Sequence, residues 1–216
     1  MNVLAENYSA YLTGFAVTLE LTVVSGAVAL VWGLVLAALR ISPIAPLRVF
    51  STVYVELLRN TPLTIVFFFL VFVAPQFGLI PPLGFWAGVM ALSAYTSAFV
   101  SEAVRSGINS VGIGQAEAAR AIGLSFGQTL RLVILPQAIR TVIPPLINVF
   151  IAMTKNTSVA AGFATTEVMA TGRRLAATNP GDNIPILIGV GLCYLAITIP
   201  AGILASVVER KVAFAR

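Results

Sequence analysis

The sequence predicts an all-α membrane protein with five transmembrane helices, and three observations support this. Of the 216 residues, 58% are hydrophobic and only 10% are charged, whereas soluble domains carry roughly 25% charged residues. The mean hydropathy is +0.97. The chain also contains five apolar runs close to the ~20 residues that a helix needs to cross a bilayer core. We therefore expect one transmembrane domain over residues 1–216.

The five predicted spans differ in how uniformly apolar they are. The first contains one ionisable residue, Glu20, and the second has the apolar centre FFFLVFV. The third is uncharged up to Glu102, and the fifth is uncharged throughout. The fourth is weaker, because Arg140 lies near its start and Pro144-Pro145 interrupt it. In chain order, the predicted spans cover residues 15–39, 62–80, 85–104, 135–154 and 184–208.

The distribution of basic residues predicts the orientation in the membrane. Cytoplasmic segments of membrane proteins carry an excess of Lys and Arg. If the amino terminus lies outside, only Lys155, Arg173 and Arg174 are outside, and the other basic residues are in the cytoplasm. We therefore expect the amino terminus outside and the carboxyl terminus in the cytoplasm. Residues 48–59, RVFSTVYVELLR, are predicted to lie along the inner interface; the alternative is a straight inward extension of the second span.

Several polar groups lie within the predicted spans. Thr18, Thr22 and Ser25 share one helical face, where hydroxyls commonly bond their own backbone or join helices. Glu102 precedes Arg105 by three residues, so we expect an ion pair between them.

The segment from residue 105 to 134 is predicted to hold two short helices joined by a sharp corner. Residues 115–122 are good helix formers, and Gly123 follows as a natural left-handed residue. Ser125 and Gln128 have the spacing of a capping box for the next helix. Ala116 and Ala119 lie three residues apart, and such small side chains let another protein approach closely. The segment therefore suits docking in a groove; the alternative is an amphipathic loop that rests on the membrane.

This segment also carries a recognisable signature. Glu117-Ala118-Ala119 is followed after three intervening residues by Gly123 and, after nine more intervening residues, by residues 133–136, VILP. The pattern resembles the EAA signature of ABC importer permeases, which usually has Ile in place of Val133. The resemblance implies that the first short helix is a coupling helix, which sits in a cleft of a cytoplasmic ATPase. The predicted ATPase-coupling residues are Ala116, Glu117, Ala118, Ala119, Arg120, Ile122 and Gly123.

Three further stretches extend the resemblance over nearly the whole chain. They are RNTPLT at residues 59–64, VSEAVRSGI at 100–108 and TKNTS at 154–158. Together they resemble the permeases for polar amino acids (the histidine, glutamine, glutamate and arginine group). The general appearance of the sequence is most similar to that of glutamate permeases of actinobacteria. The resemblance implies the type I ABC importer permease fold, a bacterial cell-membrane location, and a pore at the interface with a second permease, identical or homologous. It also implies an extracellular or periplasmic solute-binding protein.

The chain itself is predicted to be a transport subunit and not an enzyme. It has no G-x-x-x-x-G-K-[ST] loop, so ATP and Mg are expected on the partner ATPase, and we expect no cofactor or metal site in this chain. With no histidine and one cysteine, a nucleophile-base pair is difficult to assemble. Dispersed basic residues without interleaved aromatics argue against nucleic acid. The alternative function is an ion channel or another pore subunit that ATP does not drive, although no filter motif or charge ring is visible.

The substrate pathway is predicted around the fourth span. Pro144-Pro145 remove backbone donors, and broken membrane helices often line cavities or hold substrates. The predicted pathway residues are Asn148, Thr154, Lys155 and Asn156; the alternative is a packing kink with an interfacial lysine. Arg173 and Arg174 are expected to dock the solute-binding protein through a short helix. Positive charge on the outer side favours glutamate or glutamine as substrate.

Overall fold

The computed structural model describes residues 2–79 and 83–213, and all regular structure within them is helical. The α-helices are α1 Asn2–Glu6, α2 Tyr8–Arg40, α3 Ala45–Arg59, α4 Leu63–Phe68, α5 Phe85–Asn109, α6 Ile113–Ala121, α7 Phe126–Thr129, α8 Leu135–Asn156, α9 Val168–Thr178 and α10 Asn183–Ala213. Two π-helical turns, Phe69–Val73 and Leu130–Ile134, and two 3₁₀ segments, Ala74–Phe77 and Thr157–Phe163, extend α4 and α8.

Four helical runs are long and apolar enough to cross a membrane, and a bent pair of helices provides a possible fifth span. The four are Tyr8–Arg40, Phe85–Asn109, Phe126–Phe163 and Asn183–Lys211. Each contains one of the predicted spans, so a single long helical run covers each of these four apolar stretches. The bent pair consists of Ala45–Arg59 and Leu63–Phe77, which meet at 111°.

The second predicted span, residues 62–80, is the one that differs most from the prediction. An α-helix covers only Leu63–Phe68, and the chain then passes through a π turn and a 3₁₀ turn that ends at Phe77. Pro75 lacks a backbone N–H and its ring crowds the preceding turn, which disfavours a regular α-helix here. Residue 80 lies outside the described residues. The 111° bend also excludes a straight extension of this span through residues 48–59, in favour of a separate helix α3.

The predicted interruption of the fourth span at Pro144-Pro145 is wrong. Helix α8 continues through both prolines from Leu135 to Asn156. Each proline removes one intrahelical hydrogen bond, but contacts with neighbouring helices can offset such a loss. Helix α8 packs against α5 and α10, and an added Cβ at Gly107 of α5 would clash with Val142 of α8. The unbroken helix is thus accompanied by close packing of α5 against α8.

Helices α2 and α5 form the centre of the bundle. Leu21, Ala29 and Leu36 of α2 are fully buried. An added Cβ at Gly33 would clash with Val100 of α5, so a glycine at this position permits the close approach of the two helices. Large apolar side chains elsewhere on α2 and α10, among them Val31 and Leu192, are exposed. They form the surface that a bilayer would cover.

Of the hydroxyl groups on this face of α2, that of Thr18 joins two helices, whereas that of Thr22 bonds its own backbone. Thr18 donates to the Gly14 carbonyl at 3.0 Å and accepts from the Val168 N–H at 3.2 Å. Thr22 donates to its own backbone, at the Thr18 carbonyl. Ser93 of α5 donates to the Ser25 carbonyl at 3.2 Å. These bonds tie α2 to α5 and to the start of α9.

Candidate functional site

A cluster of charged side chains fixes one end of the bundle. Glu102 of α5 accepts from Arg40 of α2 at 2.6 Å and pairs with Arg105, and Arg59 of α3 lies 3.4 Å away. Arg40 also bonds Glu56 at 3.1 Å. The predicted Glu102–Arg105 pair is confirmed, whereas no local spacing indicates that Arg40 and Arg59 join it. The carboxyl group of Glu102 thus holds α2, α3 and α5 together where the chain enters α6.

A rigid corner follows at this end of the bundle. Helix α6 ends in a Schellman motif, in which Gly123 N–H bonds the Arg120 carbonyl at 3.0 Å and Leu124 N–H bonds the Ala119 carbonyl at 3.1 Å. Gly123 has φ 89°, a conformation that glycine adopts without steric cost. Ser125 and Gln128 form the complete capping box of α7. The predicted left-handed glycine and capping box are both confirmed.

The corner exposes three large apolar side chains that no part of the described chain covers. Ile113 is 78% exposed, and Ile122 and Phe126 are each 79% exposed. We refer to these three residues as the apolar tip. Single exposed apolar residues are common on proteins, but this short segment carries three, at the start of α6, at its carboxyl end and at the start of α7. Such a surface is suited to contact with another protein.

The other predicted coupling residues fall into two groups. Glu117, Ala118 and Arg120 are exposed, and Ala116 is half-buried. Ala119, in contrast, is only 4% exposed, because α6 packs against α7 and the π turn Leu130–Ile134. The expectation that Ala119 presents its methyl group to a partner is therefore wrong. A small residue at this position lets α6 lie close to its own chain.

Two of the four predicted pathway residues line an open groove between α5 and α8. This groove, which we call the asparagine groove, has a volume of about 450 Å³ and contains Asn148 and Asn156. Tyr95, Thr96 and Phe99 line it from α5. Its polar groups are therefore two amides and two hydroxyls on a largely aromatic and aliphatic wall. That combination suits a small polar ligand.

The other two predicted pathway residues lie elsewhere. Thr154 is 4% exposed and its hydroxyl donates to the Phe150 carbonyl at 3.0 Å, so this donor is occupied within the helix. Lys155 is exposed and does not line the asparagine groove. Successive helical residues point about 100° apart, which separates Lys155 from its neighbour Asn156.

The opposite end of the bundle carries the predicted short helix, α9, with Arg173 and Arg174 both exposed. Its amino terminus is fixed by Glu167, a fully buried residue. The carboxyl group accepts from the backbone N–H groups of Met169 and Ala170, at 2.9 and 2.8 Å, and from the Tyr194 hydroxyl at 2.6 Å. This arrangement holds α9 against α10.

The sequence resembles a known family over most of its length. Residues 29–214 match the family described as "Binding-protein-dependent transport system inner membrane component". The chain belongs to this family. It is a multi-pass membrane protein and the permease subunit of an amino acid ABC importer, and it is a transport component and not an enzyme.

Two related permeases match this chain over most of their own length. It is 40% identical over 211 residues to the "Probable glutamine ABC transporter permease protein GlnM" of Bacillus subtilis, covering 98% of this chain and 97% of the relative. It is 38% identical over 208 residues to the "Glutamate transport system permease protein GluC" of Corynebacterium glutamicum, covering 89% of each. The resemblance inferred from the EAA signature and its flanking motifs is confirmed.

Solved structures support the type I ABC importer permease fold. The permease superposes on a chain from the "Crystal structure of an amino acid ABC transporter with histidines" with a TM-score of 0.89 and 31% identity, covering 96% of each chain. A chain of the MetNI methionine ABC transporter in an inward-facing form gives a TM-score of 0.74 at 19% identity, covering 95% of this chain and 97% of that one. At that identity the second similarity concerns the fold alone. An ion channel not driven by ATP is accordingly set aside.

Sequence reasoning missed Glu167 of the permease. A signal was present, because Glu167 stands directly before a run of helix-forming residues, where an acidic side chain can cap the helix. It missed the roles of Arg40 and Arg59 for a different reason. Arg40 lies 62 residues from Glu102 along the chain. Both contacts depend on how three helices cross, which local spacing does not reveal.

Proposed function

We propose that this permease forms half of a translocation pathway for glutamine or glutamate and couples it to a separate cytoplasmic ATPase through the α6–α7 corner. The observation that carries the proposal is the apolar tip on that rigid corner, with Ile122 79% exposed. The EAA signature over the same residues supports it. The names of the relatives support glutamine or glutamate as substrate.

The length of the helical run that begins at α7 supports a position of the corner outside the membrane. The run Phe126–Phe163 contains 38 residues, which at ~1.5 Å per residue is roughly 57 Å. A bilayer core is about 30 Å thick, so part of the run must project from it. Since Arg120, Arg131 and Arg140 lie near this end, we place it in the cytoplasm and the amino terminus outside.

The asparagine groove supplies groups for binding an amino acid. Asparagine side chains can donate to a carboxylate and accept from an ammonium group, and both Asn148 and Asn156 line the groove. The groove is open on one side, where a second permease, identical or homologous, would close it. A solute-binding protein would deliver the substrate to the α9 end, with Arg174 as a docking residue and ATP and Mg held by the ATPase.

The coupling role can be tested by exchanging one side chain of the apolar tip. Ile122→Asp should reduce association with the ATPase subunit roughly 10- to 100-fold, because it removes an apolar side chain worth about 1.5–3 kcal/mol on burial and places a charge in the contact. Gln128→Glu is the control, since it retains the capping box and lies outside the tip. The measurement is the amount of ATPase that copurifies with each permease from membranes.

Two results would contradict the coupling role. One is equal ATPase recovery with Ile122→Asp and Gln128→Glu. The other is a loss of ATPase with both, which would indicate general damage to the corner. Substrate identity needs a separate measurement, namely uptake of radiolabelled glutamine and glutamate into vesicles that contain the full complex. An uptake limited to a basic amino acid would contradict the proposed substrate class.

A further inference from the structure

A second groove lies on the α9 side of the permease. It has a volume of about 320 Å³ and is lined by Thr64 and Phe68 of α4, Ser158 and Phe163 of the 3₁₀ segment, and Arg173 of α9. We call it the arginine groove. Its volume falls at the lower end of the roughly 300–1,000 Å³ typical of small-molecule sites. Phe163 stacks on the buried Phe67 at 4.8 Å between ring centroids, so one wall of the groove is firmly held.

Arg173 has no acidic partner in this groove. Over residues 2–79 and 83–213, no carboxyl group lies within 4.0 Å of its guanidinium, whereas Arg40, Arg59 and Arg105 all pair with Glu102. Glu167, on the same side of the molecule, is fully buried and its oxygens already accept from two backbone N–H groups and Tyr194. The planar guanidinium of Arg173 is therefore left to bind an anion, and its geometry matches a carboxylate.

Two hydroxyl groups complete the polar lining. Thr64 is exposed, and its hydroxyl has no hydrogen bond to any part of the described chain, so it can donate to the same anion. Ser158 donates to the Lys155 carbonyl at 2.7 Å, which leaves its oxygen free to accept from an ammonium group. Donors for a carboxylate and an acceptor for an ammonium group thus face one space. That pair of groups is present together in every free amino acid.

The arginine groove also joins two sequence motifs that the asparagine groove leaves unexplained. Thr64 ends the stretch RNTPLT, and Ser158 ends TKNTS. Ser158 follows Asn156 by two residues on the same helical run, so the arginine groove adjoins the asparagine groove along the chain. Arg174 does not line the arginine groove, because neighbouring residues of α9 point about 100° apart. The two arginines, predicted together as docking residues, therefore face different surroundings.

We propose that the arginine groove is a second binding site for the transported amino acid, in which Arg173 and Thr64 hold its α-carboxylate and Ser158 accepts from its ammonium group. This inference depends on the proposed function, since it assumes that the permease transports an amino acid. Arg174 is left to dock the solute-binding protein. An amino acid would enter at the arginine groove and pass to the asparagine groove.

The test uses the complete complex of permease and ATPase, with Arg173→Gln, Thr64→Val and the matched control Arg174→Gln. Binding of radiolabelled glutamine to the detergent-solubilised complex is measured without the solute-binding protein. Because the asparagine groove would also bind glutamine, each variant is made in an Asn148→Leu background, where Arg173→Gln should weaken the remaining binding roughly 10- to 100-fold, the loss expected for a charge-assisted hydrogen bond. Thr64→Val should weaken it by a smaller factor, and Arg174→Gln should leave it unchanged. The α-amide of glutamine should fail to compete, because it lacks the carboxylate.

Docking of the solute-binding protein is measured on the same variants. Arg174→Gln should weaken docking and Arg173→Gln should not. The inference is overturned if Arg173→Gln and Thr64→Val bind glutamine as well as their parent does, or if the α-amide competes fully. It is also overturned if Arg173→Gln weakens docking of the solute-binding protein but not binding of glutamine. Dissociation of the permease pair by Arg173→Gln would also overturn it, because the second permease would then fill the groove. A wild-type complex that transports no amino acid would instead refute the proposed function.

Discussion

Glu102→Gln should destabilise the permease far more than Glu56→Gln, although both changes replace a carboxyl group that bonds Arg40. The side chains of Arg40 and Glu102 are only 13% and 19% exposed and meet at 2.6 Å. Loss of one partner of a buried pair costs about 3–5 kcal/mol. The Arg40–Glu102 pair is partly exposed to solvent at the end of the bundle, so we expect a smaller loss of about 2 kcal/mol. Arg59 and Arg105 are 36% and 38% exposed, so each adds only about 0.5 kcal/mol.

The total of about 3 kcal/mol predicts a fall in Tm of roughly 6–12 °C for a chain of this size. Glu56 is 53% exposed and, among the described residues, forms an ion pair with Arg40 only, so Glu56→Gln should lower Tm by less than about 2 °C. Melting is measured in one detergent at one scan rate, since membrane proteins unfold irreversibly. Equal Tm values for the two variants would refute the idea that Glu102 is the centre of the cluster.

Three further predictions concern the corner, the asparagine groove and α9. Gly123→Val should lower ATPase stimulation while the permease still inserts, because φ 89° strains a β-branched residue by about 1–2 kcal/mol although a Cβ there meets nothing within 4 Å. Asn148→Leu should slow uptake whereas Thr154→Val should not, because the Thr154 hydroxyl bonds only its own helix; equal uptake would contradict this. Glu167→Gln should cost about 1–3 kcal/mol by leaving one N–H or O–H unpaired, more than Tyr194→Phe, and thermal melting of both variants measures the difference.

Local sequence signals predicted the parts of this permease whose geometry is local. The corner at Gly123 and the capping box of Ser125 depend on hydrogen bonds between residues at most five positions apart, and both were predicted correctly. The apolar runs likewise predicted the positions of the long helices α2, α5, α8 and α10 along the chain, because the length and hydropathy of a run decide whether it can span a bilayer.

Features that depend on packing could not be predicted in the same way. Hydropathy over residues 62–80 gave no indication of the π turn at Phe69–Val73 or of the 111° bend after Arg59. Prolines alone favoured a broken fourth span, whereas the contact between Gly107 and Val142 accompanies an unbroken helix. The buried position of Ala119 likewise results from the return of the chain through Leu130–Ile134, which the spacing of alanines does not specify.

The helical run Phe126–Phe163 has a mechanical consequence. The α6–α7 corner adjoins one end, six of the residues that line the asparagine groove lie along it, and one wall of the arginine groove is its other end. A tilt of about 5° around the middle of a rod roughly 57 Å long moves the two ends by about 2.5 Å in opposite directions. If the run moves as one rigid body, a displacement of the corner would therefore change the width of a distant groove. The π turn at Leu130–Ile134, a type of turn often found at functional sites, lies on this run between the corner and α8.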